Sequence, residues 1–165
     1  MRQSAGYLVS IFGPTASGKS TLALRLCETL PGEIITADSR QVFRYMDIGT
    51  DKPSAAERSR VPHHMIDLVD PDEPFTLADY QDGAHRVIDE VLQRGKIPVL
   101  AGGTPLYVFA VLDGWTIPRV EPRPDLRAAL EHEAMTSGIE ALHARLRVLD
   151  PKAADGILPS NGRRI

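Results

Sequence analysis

The sequence predicts an α/β fold built on a parallel sheet, and three observations predict it. Short apolar runs, partly β-branched, alternate with stretches of helical period, the pattern of strand–helix–strand units. The first run, Tyr7 to Phe12, leads directly into Gly13-Pro14-Thr15-Ala16-Ser17-Gly18-Lys19-Ser20, a glycine-rich loop that opens a helix. Two later runs end in Asp38-Ser39-Arg40-Gln41 and Gly102-Gly103-Thr104, at the carboxyl ends of strands, where open α/β sheets place their ligands.

The elements follow in order. Tyr7 to Phe12 is the apolar run of a buried parallel strand; it is too short to cross a membrane and meets glycine and proline at once. Met1 to Gly6 ahead of it shows no long apolar segment. Lys19 to Leu30 reads as a helix, with Leu22, Leu26 and Leu30 at four-residue spacing and Pro31-Gly32 as the stop. Glu33 to Ala37 is a second strand. Asp38 to about Pro62 reads as polar and irregular, and His64 to Leu68 as a short strand. Thr76 and Asp79 open the clearest helix with a capping-box pattern, and an apolar stripe from Leu77 to Leu92 runs down one face until Gly95. Ile97 to Ala101 is a further buried strand. Beyond Gly114 the composition turns to proline and arginine, followed by two short amphipathic helices, Asp125 to Met135 and Ile139 to Leu149. The expected division is therefore a core over residues 1–114 and a helical subdomain over 115–165. Few strands are evident for a doubly wound sheet, so the sheet is expected to be incomplete in this chain.

Bulk properties narrow the function. The 165 residues suit one domain or a core with an appendage, and 42% apolar residues supply a core. A net charge of −3 gives no global basic field for nucleic acid, although a local patch suffices for binding. Cys27 is the single cysteine, which excludes an intrachain disulfide framework and suits a reducing, cytoplasmic setting.

Gly13 to Ser20 fulfils G-x-x-x-x-G-K-[ST] at every fixed position. A chance match in a chain this long is on the order of 1% from ordinary residue frequencies, and the strand-before, helix-after context lowers it further. Such a loop curls so that consecutive N–H groups face one anion, and the helix start adds its free N–H groups and positive dipole end. Lys19 neutralises phosphate charge, and the Ser20 hydroxyl is placed to ligate Mg²⁺. The expected core is thus a three-layer arrangement like that of P-loop NTPases, holding pyrophosphate or polyphosphate. The loop does not by itself name a reaction.

The other clusters leave alternatives open. Asp38 follows a strand and could serve as a general base, hold magnesium through water, or close an Asx turn. Thr104 could donate to a phosphate oxygen or cap the next helix. His63 and His64 sit side by side, and extended neighbours point to opposite faces, so packing or hydrogen bonding is expected rather than a shared ion. Arg119, Arg123, Arg127, Arg163 and Arg164 could be solvated surface charge or contacts to a phosphodiester backbone.

Taken in order, these blocks resemble a known family. The loop Gly13 to Ser20 is followed by Asp38-Ser39-Arg40-Gln41-Val42-Phe43-Arg44, Met46-Asp47-Ile48-Gly49-Thr50-Asp51-Lys52-Pro53, Pro62-His63-His64, Gly102-Gly103-Thr104-Pro105-Leu106-Tyr107, Asp150-Pro151 and Pro159-Ser160-Asn161-Gly162-Arg163-Arg164-Ile165. This series is similar to the tRNA dimethylallyltransferases, which modify an adenosine beside the anticodon. The resemblance implies that the P-loop holds the pyrophosphate of dimethylallyl diphosphate with Mg²⁺. It implies that Asp38, Lys19 and Thr104 are catalytic. It implies tRNA contacts, in the anticodon stem-loop, from Asp38, Ser39, Arg40, Gln41, Thr104, Arg127, Arg163, Arg164 and Ile165. A cytoplasmic monomer free of the membrane is expected. Pro105 stands where the family usually has glycine, stiffening that turn, and Phe43 replaces the more usual tyrosine. Family members are about twice as long, so the chain corresponds to an N-terminal half. A small-molecule or nucleotide kinase, an adenylate isopentenyltransferase and a non-catalytic phosphate binder are the alternatives that the P-loop alone leaves standing.

Overall fold

The computed structural model describes residues 6–165; Met1 to Ala5 lie outside them. Four strands form one parallel sheet: β1 (Val9–Phe12), β2 (Gly32–Thr36), β3 (His63–His64) and β4 (Ile97–Gly102), in the spatial order β1-β4-β2-β3. β4 is the centre. Val9 pairs with Val99 and Phe12 with Gly102 on one side, while Ile34 pairs with Val99 and Thr36 with Ala101 on the other.

Because β-strand side chains alternate, the sheet carries two cores. On one face Ile34, Val99 and Ala101 pack on Ala23, Leu24 and Cys27 of helix α1 (Lys19–Thr29). On the other, Ile35, Ala37 and Leu100 pack on Tyr80 and Ala84 of helix α3 (Leu77–Gln93) and on Tyr107, Val108 and Val111 of helix α4 (Pro105–Leu112). This is the expected three-layer α/β core. Between the sheet and α3, the Tyr80 ring stacks on Tyr107 at 3.8 Å, and its hydroxyl donates to the Thr36 carbonyl at 3.0 Å.

Several local expectations need correction. The buried face of α1 is Ala23, Leu24 and Cys27, whereas Leu22 and Leu30 are exposed. Of the three expected leucines only Leu26 packs against this core, so the leucine spacing marked the edge of the buried face. The strand expected over residues 64–68 shrinks to β3, because Met65 and Asp67 take positive φ (60° and 55°) and break extension. The stretch read as irregular contains helix α2 (Ala55–Arg60), opened by a Ser54–Glu57 capping box. Pro105 does not merely stiffen a turn; it is the first residue of α4, where its missing N–H costs nothing.

Glu33 lies inside the sheet, only 3% exposed. Its carboxylate accepts from Arg94 Nη2 at 2.7 Å, pairs with Lys96 Nζ at 3.0 Å and meets His64 Nε2 at 2.6 Å. Burial pushes its pKa up, but the hydrogen bonds from Arg94, His64 and Lys96 outweigh it and hold the carboxyl at about 2.

The chain divides into two compact units, the second being Arg119–Ile165. Trp115 belongs with the first, where its carbonyl accepts from Gln81 Nε2 at 2.9 Å. The second unit holds α5 (Pro124–Ser137), α6 (Ile139–Leu149) and α7 (Pro151–Asp155). Within it buried His143 bridges to the carbonyls of Ala154 and Ile157 at 3.1 and 2.9 Å, tying α6 to α7 and to the chain just after it.

Candidate functional site

The loop after β1 turns through the left-handed region at Ala16 (φ 62°) and Gly18 (φ 81°). Gly18 is therefore the fixed glycine that the turn itself uses, since glycine takes that region without steric cost. Gly18 is also the N-cap of α1 and makes no side-chain cap. Among the described residues, the backbone N–H groups of Ala16 to Ser20 donate to no other group. They form an unfilled row of donors at a helix start. Lys19 folds back over the loop, its ammonium donating to the Pro14 carbonyl at 2.5 Å and to Ser17 Oγ at 3.4 Å. The loop thus already surrounds its own cation before any anion is considered.

This loop forms one wall of a cleft of about 470 Å³ that Asp38, Arg40 and Gln41 share on another side. Asp38 Oδ1 accepts from Arg40 N at 2.8 Å and Gln41 N at 3.4 Å. The Asx turn is real, then, and it fixes the carboxylate by one oxygen. Oδ2 accepts no hydrogen bond among the described residues. The turn and a chemical role are compatible: one oxygen orients the group and the other is left for a proton or a cation.

The floor between them is the end of β4. A Cβ on Gly102 would lie 2.0 Å from the Ala37 carbonyl oxygen, so glycine is required there by the close approach of β2. Gly103 is exposed and lines the cleft, where a Cβ would lie 3.8 Å from the Gly13 carbonyl oxygen. Thr104 is the N-cap of α4 but does not cap it with its side chain. Its Oγ1 instead accepts from Ser39 N at 3.0 Å and donates to Ser39 Oγ at 3.4 Å. Thr104 thus ties the loop after β4 to the loop that presents Asp38.

Gln41 is buried, and its Nε2 donates to the carbonyls of Thr50 and Asp51, both at 2.9 Å. It clamps the loop Tyr45 to Pro53, whose Gly49–Pro53 portion lines the cleft. Lys52, its side chain 2% exposed, holds the same loop by donating to Phe43 O (2.6 Å), Asp47 Oδ1 (2.9 Å) and Asp67 Oδ1 (2.7 Å). Burial alone would lower the Lys52 pKa; the Asp67 and Asp47 carboxylates raise it instead. Arg58 reaches Asp67 Oδ2 at 2.7 Å and the Pro53 carbonyl at 3.0 Å. The sequence reading missed this clamp, because Lys52, Asp67 and Arg58 are brought together only by the fold. His63 also faces the cleft, with Nδ1 on the Val61 carbonyl at 2.8 Å, and burial holds its pKa below the usual range. His64 turns the other way, to Glu33. Among the described residues no three His, Cys, Asp or Glu side chains cluster as a metal cage.

The remaining sequence-derived residues belong to the second unit. Arg127 is exposed on α5, and Arg163 and Arg164 are exposed in a turn that Asn161 holds by accepting from Arg164 N and Ile165 N at 3.0 and 3.2 Å. Arg127, Arg163 and Arg164 make no ion pair among the described residues, whereas Arg145 pairs with Glu133 and Arg147 with Asp155.

The family model of IPP transferases matches residues 41–165. The tRNA dimethylallyltransferase of Roseiflexus castenholzii is 60% identical over 158 residues, 96% of this chain and 52% of its own length. That of Chloroflexus aurantiacus is 52% identical over the same share of this chain and 53% of its own. Among solved structures, the tRNA isopentenylpyrophosphate transferase of Bacillus halodurans superposes with a TM-score of 0.66 at 48% identity, over 95% of this chain and 52% of that one. A eukaryotic dimethylallyltransferase, described as acting on tRNA, reaches a TM-score of 0.79 at 27% identity, over 97% of this chain and 40% of its own. The chain spans about half the length of the curated relatives it matches. No helix among the described residues is long and apolar enough to cross a membrane.

Proposed function

The chain belongs to the IPP transferase family, and we propose that it carries the reacting cleft of a cytoplasmic tRNA dimethylallyltransferase. One observation carries this reading beyond the family match: an anion cradle and an oriented carboxylate with a free oxygen line the same cleft, Lys19 and Ser20 on one wall and Asp38 on another. A prenyl transfer to a weakly nucleophilic amine needs both; a kinase can use the same pair, and the family match favours the first.

On this reading the loop N–H groups and Lys19 bind the diphosphate of dimethylallyl diphosphate. The exocyclic nitrogen of an extruded adenine attacks the allylic carbon. The carbon–oxygen bond breaks and its electron pair leaves with the diphosphate, whose growing charge the loop donors stabilise. The proton on the attacking amine passes to Asp38 Oδ2, which is needed because that amine's lone pair is delocalised into the ring. Thr104 acts through Ser39, holding the Asp38 turn against β4. Arg40, exposed in the cleft, faces the nucleic acid, and Arg127, Arg163 and Arg164 supply backbone-phosphate contacts from the second unit.

The residues fit Mg²⁺ as the partner of the diphosphate. Ser20 and Asp38 offer oxygen donors to the cleft, and among the described residues no all-protein cage is present, which suits a cation that keeps water and binds chiefly through phosphate. When bound it would neutralise the departing diphosphate.

The test is transfer of label from dimethylallyl diphosphate to unmodified tRNA, together with saturable binding of dimethylallyl diphosphate that Lys19→Ala removes. Asp38→Asn should abolish transfer with tRNA affinity kept. ATP-dependent phosphorylation of a small acceptor, with no response to dimethylallyl diphosphate, would overturn the reading.

A further inference from the structure

The loop Tyr45 to Pro53 holds a feature that the chemistry above does not use. Ile48, at its tip, is 100% exposed. A solitary exposed apolar side chain is ordinary on a protein surface, but this one is presented by a fixed support. Three residues of the loop take positive φ, Tyr45 (63°), Gly49 (79°) and Asp51 (53°). At Tyr45 and Asp51, which are not glycine, this backbone is strained, and such strain persists only where the surroundings over-determine it. They do: all three donors of the buried Lys52 ammonium are used beneath the loop, Gln41 Nε2 holds two of its carbonyls, and Thr50 Oγ1 donates to the Met46 carbonyl. The residues immediately after Ile48, from Gly49 on, line the cleft that Asp38 and Arg40 share. A rigid loop therefore holds an isoleucine at the rim of the cleft and fully into solvent.

We propose that Ile48 is an apolar wedge that enters the gap left in the RNA base stack when the acceptor adenosine is drawn into the cleft. This rests on the function proposed above. A base must leave its stack to be modified, and the vacated step is apolar on both sides. Proteins that open base steps fill them with aliphatic or aromatic side chains. Rigidity is the point of the Lys52 and Gln41 clamp, since a wedge on a slack loop would yield before the stack did. The occupant is an unpaired RNA loop, whose backbone Arg40 can meet at the same rim.

The experiment uses the 165-residue chain and an RNA anticodon stem-loop that keeps its acceptor adenosine and carries 2-aminopurine at the adjacent position. Its fluorescence rises when stacking on the acceptor is lost, while anisotropy of an end-labelled copy reports binding. Ile48→Ala should lower the ratio of extruded to stacked acceptor, read from the fluorescence rise, by about tenfold, the scale of withdrawing one buried aliphatic side chain, and Ile48→Leu should restore it. Dimethylallyl diphosphate binding should be unchanged in both. An unchanged rise in Ile48→Ala, with wild-type binding and folding, overturns the wedge and leaves the proposed function standing. Loss of self-association in sedimentation with extrusion intact also overturns it, assigning Ile48 to a second copy. If the wild-type chain neither binds the stem-loop nor unstacks it, both proposals fail together.

Discussion

Replacing Glu33 by glutamine tests whether the charge buried in β2 stabilises the sheet. Its carboxylate sits at 4% side-chain exposure against Arg94, Lys96 and His64. Folding lowers its pKa from 4.5 to about 2. One pKa unit corresponds to about 1.4 kcal/mol, so the ionised carboxylate contributes about 3 kcal/mol at neutral pH. A glutamine of the same size keeps the packing but cannot accept charge-assisted bonds from three partners. Glu33→Gln should therefore lose about 3 kcal/mol in urea denaturation at pH 7, a large share of a typical domain's stability.

The pH dependence gives the sharper check. A group whose pKa is depressed on folding contributes in full above its unfolded value, and the contribution disappears as pH falls through the folded value. Wild type should begin to lose this increment below about pH 4.5, shed about 1.4 kcal/mol of it by pH 3.5, and exhaust it near pH 2. The glutamine variant has nothing to titrate there, so the gap between the two proteins must narrow over that window. A gap that stays constant from pH 7 to 3.5, or that is below about 1 kcal/mol at pH 7, would refute the role given to the ionised carboxylate.

Gly102→Ala would place a Cβ 2.0 Å from the Ala37 carbonyl oxygen; a loss of about 1–3 kcal/mol, as for overpacking, with weakened diphosphate binding should appear in urea melts and titration calorimetry. Thr104→Val removes both links to Ser39; transfer to tRNA should fall by tenfold or more on the order expected of a misplaced catalytic group, with diphosphate affinity unchanged and Thr104→Ser close to wild type. Lys52→Met removes the ammonium that ties Phe43 O, Asp47 and Asp67 together, while Asp67 keeps Arg58; a loss of about 1–3 kcal/mol, as for hydrogen bonds to a charged group, is expected in a thermal or urea melt, and hydrogen exchange should rise across residues 45–53. Burial, with Glu33 nearby, pushes the Cys27 thiol up to about 11; at pH 8 only about 0.1% is thiolate, so a disulfide reagent should react with the unfolded chain and hardly at all with the folded one.

What the sequence could disclose followed the range of the interactions involved. The parallel sheet, the P-loop and the Thr76 cap of α3 were legible because period, fixed motif and capping box are local signals. The Ser54–Glu57 capping box was equally local and passed unread in a stretch taken as irregular. Helix α4 was hidden for a different reason: Pro105 to Leu112 is apolar nearly all round, so no stripe separates a buried face from an exposed one. In α1 a stripe was visible and misleading, because the helix seats Ala23, Leu24 and Cys27 on the sheet and of the Leu22, Leu26, Leu30 stripe only Leu26 packs against them. The site divides the same way. Asp38 and Lys19 stand out by their place after strands, but the Thr104–Ser39 link spans 65 residues and the Arg94–Glu33 bond 61, distances at which no pattern in the chain pairs one polar residue with another.

Strand order explains why the cradle and the carboxylate face each other at all. β1 and β2 are consecutive in the chain but not in the sheet; β4 lies between them. At a spacing of about 4.8 Å per strand, the loops leaving β1 and β2 start roughly 10 Å apart. The Lys19 ammonium stays on its own loop, at Pro14 O and Ser17 Oγ, and the Asp38 carboxylate on its own turn, and on the proposed reading the gap takes a diphosphate with a nucleophile at its far end. The intervening strand must then end without filling the gap. It does so with Gly102 and Gly103, the first pressed on Ala37 and the second open to the cleft, and its first side chain, Thr104, turns aside to Ser39. The same insertion that separates the two charged groups therefore also orients one of them. A larger residue at Gly103 would preserve the fold and occupy the space between the P-loop and the Asp38 carboxylate, which makes that position, more than any charged one, the place where this cleft is kept open.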